Sequence, residues 1–525
     1  MDASVLVVGA GPVGLTLAAE LARHGVRVRL VDKLATPSPY CRAIGVTPRS
    51  LEVFEDMGLA REMIDAGLWL DGMRMVLPGQ PPRDKRRDLS DLPYAALGVP
   101  QYETERVLTE RLAQYGIVPE RAVALAALSQ AEDRVHVELD GPQGRESATF
   151  DFVVGCDGAH SAVRKALGIA FEGEAWPFEF MLGDVSIDWD VPRGLAVFAV
   201  HPMEDAPPDL LVAVPLPERG RYRVSAMAPA RLGAPARDGT DHGIQAERPG
   251  AGLADLQEVA DRLLPDRPRL GDLRWSSIFR ISIRLAEHYR AGNVFIAGDA
   301  CHVHPPTGGQ GMNTGIQDAY NLAWKLALVA KGEADRRLLD SYEAERRPVA
   351  EAVIAHTVEE SVNLGRRGEG DRLADTQVLV SYRGSPLADV AGDGLSAGDR
   401  MPDIEGLRRH GFGFPLRLFD VLKGTRFVLL VPVDGTTDAV EALAADIHRR
   451  WPGRVRVVAL ASGEAGLDEP PGVELLSDAA GRFAATFGEG QAWLVRPDNH
   501  IAWRGPAATV AAAVPTYLAE VIGLK

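Results

Sequence analysis

Residues 9–14 read Gly-Ala-Gly-Pro-Val-Gly and stand between an apolar run at 4–8 and a helical pattern at 15–24. A second apolar run at 26–31 ends in Asp32. Glycines at this spacing allow a tight turn, a close approach of pyrophosphate and helix packing, and an acidic residue about 20 positions later suits a ribose hydroxyl. The pattern therefore predicts a βαβ nucleotide-binding unit. Its predicted contacts are Gly9, Gly11, Gly14 and Asp32.

A second glycine-rich turn lies far along the chain. Residues 294–299 read Val-Phe-Ile-Ala-Gly-Asp, which indicates a buried strand that ends in a carboxylate. A loop with four glycines follows at 305–315, before a helix predicted over 317–330. Glycines let a planar ligand approach the backbone, and a helix N-terminus directs its amides and its positive dipole end at negative charge. Two such turns suit a dinucleotide that carries a ring able to bear charge.

Composition limits the class of protein. With 525 residues and 46% hydrophobic content, the chain can bury a large core and divide into several domains. The net charge of -16 argues against nucleic acid as a partner. No apolar run reaches the ~20 residues of a membrane span, and the first strand begins almost at the N-terminus, so neither a membrane anchor nor a signal peptide is expected. Cys41, Cys156 and Cys301 are widely separated, which predicts reduced thiols in a cytoplasmic protein and no cysteine metal site.

The chain divides by sequence texture into three units. A nucleotide-binding domain is predicted over 1–175 and again, with the helices that follow, over 285–390. The intervening residues 176–284 contain the alternating apolar runs of an inserted, mainly antiparallel sheet. Residues 391–525 alternate strands and helices as a small α/β domain without cysteine, so packing or assembly is predicted for it rather than dithiol chemistry. Residues 77–93, rich in Pro, Arg and Asp, are predicted to be a surface loop.

Three ordered motifs carry a family resemblance. They are residues 9–14, residues 156–164 (Cys-Asp-Gly-Ala-His-Ser-Ala-Val-Arg) and residues 297–311, which contain Ala-Gly-Asp-Ala-Cys-His, Pro-Pro and Gly-Gly-Gln-Gly. Together they resemble the signatures of the single-component FAD-dependent aromatic hydroxylases, the para-hydroxybenzoate hydroxylase class. The tail resembles the redox-inactive thioredoxin-like domain of the phenol and polyketide hydroxylase branches. The resemblance implies an α/β fold with a Rossmann-like FAD-binding domain, an inserted antiparallel β-sheet substrate domain and a C-terminal thioredoxin-like domain.

The resemblance assigns FAD contacts residue by residue. Arg42 matches an arginine that reaches the FAD phosphate or ribose, and Gln101 and Asp299 match groups on the ribityl chain. For Gln101, an exposed glutamine at a helix start is the alternative. Asp157 and Arg164 match a motif tied to FAD and to transient nicotinamide binding, and a structural pair that holds the loop is an equal alternative. The complete predicted FAD set is Gly9, Gly11, Pro12, Gly14, Asp32, Lys33, Arg42, Gln101, Asp157, Arg164, Gly298, Asp299, Pro306, Gly309, Gly311, Met312 and Asn313.

No side chain is predicted to act as a catalytic acid or base. The backbone amides of residues 311–313 are expected to stabilise the negative charge of reduced flavin, as an oxyanion hole does. His302 matches a structural histidine of the family, and neither it nor His304 is expected to bind metal, because no carboxylate-rich ligand set surrounds them. Cys301 is expected to be a packing residue.

The resemblance implies an enzyme that hydroxylates an aromatic ring. FAD would be the cofactor, NAD(P)H a transient co-substrate and O2 the oxygen source, through a flavin C4a-hydroperoxide that transfers oxygen to a phenol-activated ring. No second complete nucleotide fingerprint is present, so NAD(P)H is expected to dock briefly in the flavin cleft. A bulky substrate of the polycyclic polyketide type is favoured, with simple phenols as the alternative.

The substrate is expected to lie between the inserted sheet and the flavin domain. Alternation along the strands indicates that one face points inward without showing which face does so. The predicted wall residues are Phe180, Phe198, His201, Val214, Tyr222 and Phe279.

Two other functions remain open from the sequence. Baeyer–Villiger oxygenation needs only a peroxide that acts as a nucleophile on the same scaffold. A non-catalytic FAD-dependent ligand-binding protein would show spectral changes without turnover. The Trp-x-Trp-x-Ile-Pro motif of the flavin halogenases is absent, which disfavours that branch. A monomer or a homodimer is expected.

Overall fold

The computed structural model describes residues 4–37, 43–131, 133–203, 208–232, 243–244, 250–362, 372–388, 393–409, 414–462 and 468–525. Cys41 and the predicted FAD contact Arg42 lie outside these residues.

The helices and strands follow in chain order. The first part contains β1 (Val5–Val8), α1 (Pro12–Arg23), β2 (Val28–Asp32), β3 (Gly45–Val46), α2 (Pro48–Asp56), α3 (Ala60–Asp65), β4 (Leu68–Leu70), β5 (Gly72–Val76), β6 (Arg83–Arg86), β7 (Ala96–Gly98), α4 (Gln101–Gln114), β8 (Glu120–Arg121), β9 (Ala124–Ala131), β10 (Arg134–Gly141), β11 (Gly144–Phe150), β12 (Phe152–Gly155) and α5 (Ala162–Ala166). The middle part contains β13 (Phe171–Ile187), β14 (Leu195–His201), β15 (Asp209–Pro215), β16 (Arg221–Met227), β17 (Gly243–Ile244), α6 (Leu253–Leu263), β18 (Leu270–Ala286), β19 (Arg290–Ala291), β20 (Val294–Ile296), β21 (His302–Val303), α7 (Gly311–Ala330) and α8 (Asp340–Val362). The last part contains β22 (Glu405–Arg409), β23 (Leu416–Arg417), α9 (Leu418–Leu422), β24 (Phe427–Val433), α10 (Asp438–Arg450), β25 (Val455–Ala461), β26 (Val473–Ser477), α11 (Arg482–Phe487), β27 (Gln491–Val495), β28 (Ile501–Pro506) and α12 (Val510–Tyr517).

A six-stranded sheet organises the nucleotide-binding domain. Its order is β19-β20-β12-β1-β2-β8, and every pairing except β19 with β20 is parallel. β1 and β12 are buried along their whole length, as expected for parallel strands that helices cover on both faces. α1 and α7, the helices that follow the two glycine turns, pack against each other. The predicted Rossmann-like domain is confirmed.

α7 begins six residues earlier than the sequence pattern predicts, at Gly311 instead of position 317. The first turn contains glycine and asparagine, which have low helix propensity, so the pattern marked only the apolar part of the helix. The earlier start matters for the site because it places the N-terminal amides of a 20-residue helix in the glycine-rich loop itself.

A nine-stranded sheet forms the inserted domain. β18, β13, β16, β15 and β14 are antiparallel neighbours, as predicted. β5 and β6 extend this sheet beyond β14, so the predicted surface loop at 77–93 in fact contains the edge strand β6, whose charged side chains are exposed. The expected boundaries at 176 and 284 fall inside β13 and β18, because these strands pair from Phe171 with Ala286 to Ile187 with Leu270.

A seven-stranded mixed sheet forms the C-terminal domain. Its order is β23-β22-β26-β25-β24-β27-β28, with parallel pairing at its centre and antiparallel pairing toward both edges. Together with α9 to α12 it forms the predicted α/β domain.

Buried ion pairs join the C-terminal domain to the FAD-binding domain. Arg496, next to β27, donates to Glu345 of α8 at 2.6 and 2.9 Å, and Lys325 of α7 donates to the same carboxylate at 2.6 Å. Asp498 accepts from Arg496 and, at 3.1 Å, from Trp324 Nε1. Burial alone would raise the pKa of Glu345, but Arg496 and Lys325 outweigh it and hold that pKa well below its usual range.

Replacing Arg496 with Met is predicted to destabilise the protein by about 3–5 kcal/mol, because Glu345 and Asp498 would remain buried without their main cation. Urea unfolding followed by fluorescence measures this loss. The control is Arg409→Met, which breaks an exposed pair with Glu474 and should cost less than ~1 kcal/mol. Equal, small losses of unfolding free energy in both variants would show that Arg496 does not stabilise the interface between the two domains.

Candidate active site

The first glycine turn lies between β1 and α1. Gly9 has φ +103°, and a Cβ there would come 2.4 Å from the carbonyl oxygen of Cys156. A Cβ at Gly14 would come 1.9 Å from the carbonyl oxygen of Gly9, whereas a Cβ at Gly11 would have no atom of the described residues within 4 Å. The fold therefore requires Gly9 and Gly14, and Gly11 borders open space at the start of α1. Pro12 is the first helical residue, where a missing N–H costs no intrahelical hydrogen bond.

Asp32 closes this turn at the end of β2. Its Oδ2 accepts a hydrogen bond from Ala10 N at 2.7 Å, and its Oδ1 accepts from Leu34 N at 2.7 Å. Arg121 Nη1 lies 3.5 Å from Oδ2. The carboxylate thus shapes the glycine loop, and its contact with a ribose stays a prediction. The side chain of Lys33 is exposed beside it.

The second glycine turn meets the first at a single side chain, Val13. Gly298 has φ +64°, and a Cβ there would come 2.8 Å from Val13 Cγ2. A Cβ at Gly315 of α7 would come 2.6 Å from the same methyl group and 3.0 Å from Gly298 Cα. Asp299 follows Gly298 and is exposed on the open side of the turn. The structure therefore brings together the two turns that the sequence places far apart.

The first turn of α7 is fixed by the side chain of Asn313. Its Nδ2 donates to Gly45 O at 2.9 Å and to Gly309 O at 2.7 Å, and its Oδ1 accepts from Thr47 N at 3.0 Å. The sequence pattern predicts a role only for the backbone amide of Asn313 and gives none to this side chain. The available signal was a carboxamide in a glycine-rich helix start, where three backbone partners are within reach.

The amides that begin α7 have no acceptor within the helix and form the positive end of its dipole. Gly311 and Met312 are half-buried there, whereas Gly309, with φ +66°, and Pro306 are exposed on the preceding loop. This arrangement can stabilise an anion in front of the turn.

Gln101, at the start of α4, holds the segment that leads to Gly45. Its N–H donates to Ala43 O at 3.0 Å and its Oε1 accepts from Ala43 N at 3.2 Å, while its Nε2 donates to Glu105 at 2.8 Å. A contact with the ribityl chain stays a prediction.

Asp157 and Arg164 each hold the loop between β12 and α5, although they do not hold it as an ion pair. Asp157 accepts from Ser161 Oγ at 2.5 Å and from Ala162 N at 2.6 Å, which caps α5. Arg164 donates to Ala300 O at 3.0 Å and stacks on the ring of Phe171. The hydrogen bond to Ala300 connects this loop to the second glycine turn.

Three buried polar side chains form a hydrogen-bonded cluster beside the second glycine turn. His302 Nε2 lies 2.7 Å from Asp318 Oδ2, and Arg346 Nε donates to Asp318 Oδ1 at 2.7 Å. Burial would raise the pKa of Asp318, but Arg346 and His302 hold it below its usual range. Burial lowers the pKa of His304 to about 4 and raises that of Cys301 well above its usual value, so both residues are neutral near pH 7.

In the described part of the chain, one group of three side chains has metal-ligating atoms close together: His356, Glu360 and Asp375. Neither His302 nor His304 belongs to it. Asp375 already accepts a hydrogen bond from Arg87 at 3.1 Å.

The six predicted substrate-wall residues do not share one face of the inserted sheet. One face carries Phe180, Phe198, Val214 and Phe279. Tyr222 is on the opposite face, where it packs with α6 and lies edge-on to Trp189 at 5.2 Å. His201 alternates in register with Ala199 of that same face. The prediction that these two residues line the same pocket as the others is therefore wrong, because alternation separates two faces without showing which one α6 covers.

The sheet face with the phenylalanines is held against the FAD-binding domain at two places. At the first place, Trp275 and Val214 pack with Ile44, which lies just before β3. At the second place, β18 pairs with β21 as an antiparallel strand, with Arg284 opposite Val303. Phe279 lies between these two contacts on β18, and its ring stacks on Phe180 at 5.5 Å.

A cavity of about 500 Å³ opens where this face meets the start of α4. Tyr102 lines it from α4, and Trp275 and Asp184 line it from the sheet. Trp275 Nε1 donates to Asp184 at 2.7 Å, and Arg223 pairs with the same buried carboxylate at 3.1 Å. The sequence analysis named none of these residues. Glu103, Glu218, Arg221 and Arg274 also line the cavity, so its wall is both aromatic and charged. Arg221 pairs with Asp272 and Arg274 pairs with Glu218, so both of these cations are already neutralised.

Comparison with known proteins decides the family. A model of the FAD binding domain matches residues 2–357, and a model of the aromatic-ring hydroxylase C-terminal domain matches residues 395–524. The chain belongs to the FAD-dependent aromatic hydroxylases. The hydroxylase is 33% identical to pentachlorophenol 4-monooxygenase of Sphingobium chlorophenolicum, with 95% of this chain and 93% of that protein covered. It is 34% identical to the 12-dehydrotetracycline 5-monooxygenase/anhydrotetracycline 6-monooxygenase of Streptomyces rimosus, with 96% and 95% covered.

Solved structures agree along the whole length of the hydroxylase. A ternary complex of aklavinone-11 hydroxylase with FAD and aklavinone superimposes with a TM-score of 0.80 at 27% identity, covering 99% of both chains. The anhydrotetracycline hydroxylase of Streptomyces rimosus superimposes with a TM-score of 0.75 at 30% identity, covering 100% of this chain and 99% of that chain. The expected aromatic hydroxylase fold and enzyme class are confirmed. In the described residues, no helix is long and apolar enough to cross a membrane.

The residues of the hydroxylase fit FAD. Gly11 leaves open space at one helix start, and α7 presents a second helix start in a glycine loop, which suits a pyrophosphate and a charged ring. When bound there, FAD would supply the redox chemistry, which is acceptance of a hydride from NAD(P)H and activation of O2 for transfer to the aromatic ring. The protein contributes binding, orientation and a charge-stabilising turn.

Replacing Gly11 with Ala is predicted to weaken FAD binding about 10-fold or more and to leave the stability of the apoprotein unchanged. The new methyl group would meet no atom of the described residues, so the clash expected there is with a pyrophosphate in front of α1. FAD titration by fluorescence quenching and thermal unfolding of the apoprotein test the two parts.

Gly141→Ala serves as the control, because a Cβ there makes ordinary contacts in an exposed hairpin far from this turn. A Gly11→Ala protein with the wild-type affinity for FAD would show that the pyrophosphate lies elsewhere.

Proposed function

We propose that this flavin-dependent enzyme hydroxylates a polycyclic, mostly apolar phenol of the aromatic polyketide type. The observation that carries the proposal is the aromatic sheet face that is held against the FAD-binding domain on both sides of Phe279. Side chains of this face that are only partly buried include Phe198, Phe279 and Trp275. Exposed apolar groups that converge in a cleft between two domains favour a large planar ligand.

Charge on this face supports an uncharged substrate. Arg223 is buried on β16 and pairs with Asp184, so it does not offer the cation that a small aromatic carboxylate would need. The relatives named for tetracycline-type and pentachlorophenol oxygenation show that polycyclic and simple phenols both occur among similar enzymes. The cluster on this face also contains Trp176 and Phe178, and so many aromatic side chains on one face favour the polycyclic class.

The FAD contacts expected from the sequence are part of this proposal. The pyrophosphate would lie against Gly11, a ribose against Asp32 and the ribityl chain against Gln101 and Asp299. The amides at the start of α7 would hold the charge of the reduced ring. The proposed domains are an FAD-binding domain in two parts, a substrate domain between them that includes the whole of β13 and β18, and a C-terminal domain over 391–525.

The enzyme would act in the cytoplasm as a monomer or a homodimer, without nucleic acid. The net charge of -16 supports the absence of a phosphate-backbone partner.

Aerobic incubation with NADPH or NADH and a panel of phenols, naphthacenes and angucycline-like compounds tests the substrate class. Mass spectrometry of one polycyclic product with a single added oxygen is the expected result, and NMR then separates ring hydroxylation from Baeyer–Villiger insertion. Turnover restricted to simple phenols would contradict the polycyclic assignment. Spectral shifts without an oxygenated product from any compound would instead indicate a binding protein.

Replacing Phe279 with Ala is predicted to increase hydrogen peroxide release per NAD(P)H severalfold, because water enters a site that otherwise excludes it. FAD affinity should not change. The measurement is the ratio of peroxide to hydroxylated product. The matched control is Leu256→Ala, a truncation in the cluster on the opposite face of the same sheet, which should lower stability without raising uncoupling. An equal rise in the ratio of peroxide to product in both variants would show that Phe279 does not line the substrate site.

A further inference from the structure

A buried polar network lies directly behind the first turn of α7. Its centre is Gln377, which belongs to the segment between α8 and the C-terminal domain. The members of the network, all buried, are Thr47, Gln310, Asn313, Thr314, Gln317 and Gln377.

The side-chain amide of Gln377 uses its full hydrogen-bonding capacity. Its Oε1 accepts from Gln317 Nε2 at 2.7 Å and from Thr47 Oγ1 at 3.3 Å. Its Nε2 donates to Thr314 Oγ1 at 2.9 Å and to Gln310 Oε1 at 3.5 Å. One side chain therefore ties the cap and the first two turns of α7 to Thr47, the residue that caps α2.

The backbone of Gln377 is left-handed, with φ +60°. Glutamine rarely adopts this conformation, and it persists only where the surroundings hold the residue in place. The side chain of Gln377 is held by the hydrogen bonds that it donates to Gln310 and Thr314 and by the one that it accepts from Gln317.

The network continues to the loop in front of α7. Thr47, which bonds to Gln377, also donates its N–H to Asn313, and Asn313 in turn binds the carbonyl oxygens of Gly45 and Gly309. Gln377 and Asn313 thus fix three segments relative to one another: residues 45–47, the glycine loop and the first turn of α7.

We propose that Gln377 is a positioning residue that orients the amides at the start of α7 toward the reduced flavin and thereby raises the reduction potential of bound FAD. This inference rests on the proposed placement of the flavin ring at that turn. Gln377 acts through Thr314 and Gln310, because its own side chain is buried beneath the turn. Donors stabilise a developing anion well only when they are held in the required direction in advance.

The midpoint potential of FAD in the full-length holoenzyme tests the proposal by spectroelectrochemical titration. Gln377→Met removes all four hydrogen bonds at nearly constant volume. In Gln377→Asn the side chain is too short to reach both Thr47 and α7, and asparagine tolerates the left-handed backbone. This second variant therefore tests the proposal even if the Met variant does not fold. In each variant the midpoint potential of FAD is expected to lie about 30 mV below that of the wild-type enzyme. This shift corresponds to an approximately tenfold weaker preference for reduced over oxidised flavin.

Gln257→Met is the matched control. Gln257 makes three hydrogen bonds of similar length, to Asp261, Pro268 and Leu270, but lies in the inserted domain. This variant should unfold at a lower temperature with an unchanged potential.

Wild-type potentials in both Gln377 variants, whatever their thermal stability, would overturn the proposal. An equal shift in Gln257→Met would also overturn it, because the effect would then reflect general destabilisation. A wild-type protein that takes up no FAD would be a failure of the proposed function instead.

Discussion

The rest of the structure depends on the close approach of α1 and α7 around Val13. Gly298 and Gly315 leave no room for a Cβ against that side chain, so any larger residue at either position would push the two helices apart. This contact brings two helix N-termini to one cleft, although almost the whole FAD-binding domain separates them in sequence. Two positive dipole ends in one cleft are what a dinucleotide with a reducible ring requires.

α7 is held firmly at both ends. Its first turn is bound by Asn313 and by the network around Gln377, and its later turns carry Trp324 and Lys325 into the buried ion pairs with α8 and the C-terminal domain. A C-terminal domain without cysteine therefore has a physical reason to be present. Its Arg496 adds a second cation to Glu345, which Lys325 already pairs, and Asp498 pairs with Arg496 and accepts from Trp324 of α7.

In the inserted sheet, the sequence pattern predicts the strands but does not predict which face of the sheet is covered. Alternation located its strands, but it placed Tyr222 and His201 with the aromatic face, and α6 covers the side on which they lie. β6 was predicted to be part of a loop because an exposed, charged edge strand has the composition of a loop. Gln377 and Asn313 were missed as side-chain anchors because an isolated polar residue shows no periodicity, and their hydrogen bonds to Thr47 span more than 260 residues of sequence.

The sequence by itself determined the Rossmann-like domain, the family, the use of FAD and the two turns that begin at Gly9 and Gly298. It could do so because close backbone approaches admit only glycine and because parallel buried strands are continuously apolar. Only the tertiary structure decided which sheet face meets the FAD-binding domain, how α7 is anchored and how the C-terminal domain is attached. These features arise from side chains that are distant in sequence and become neighbours only after the three sheets pack together.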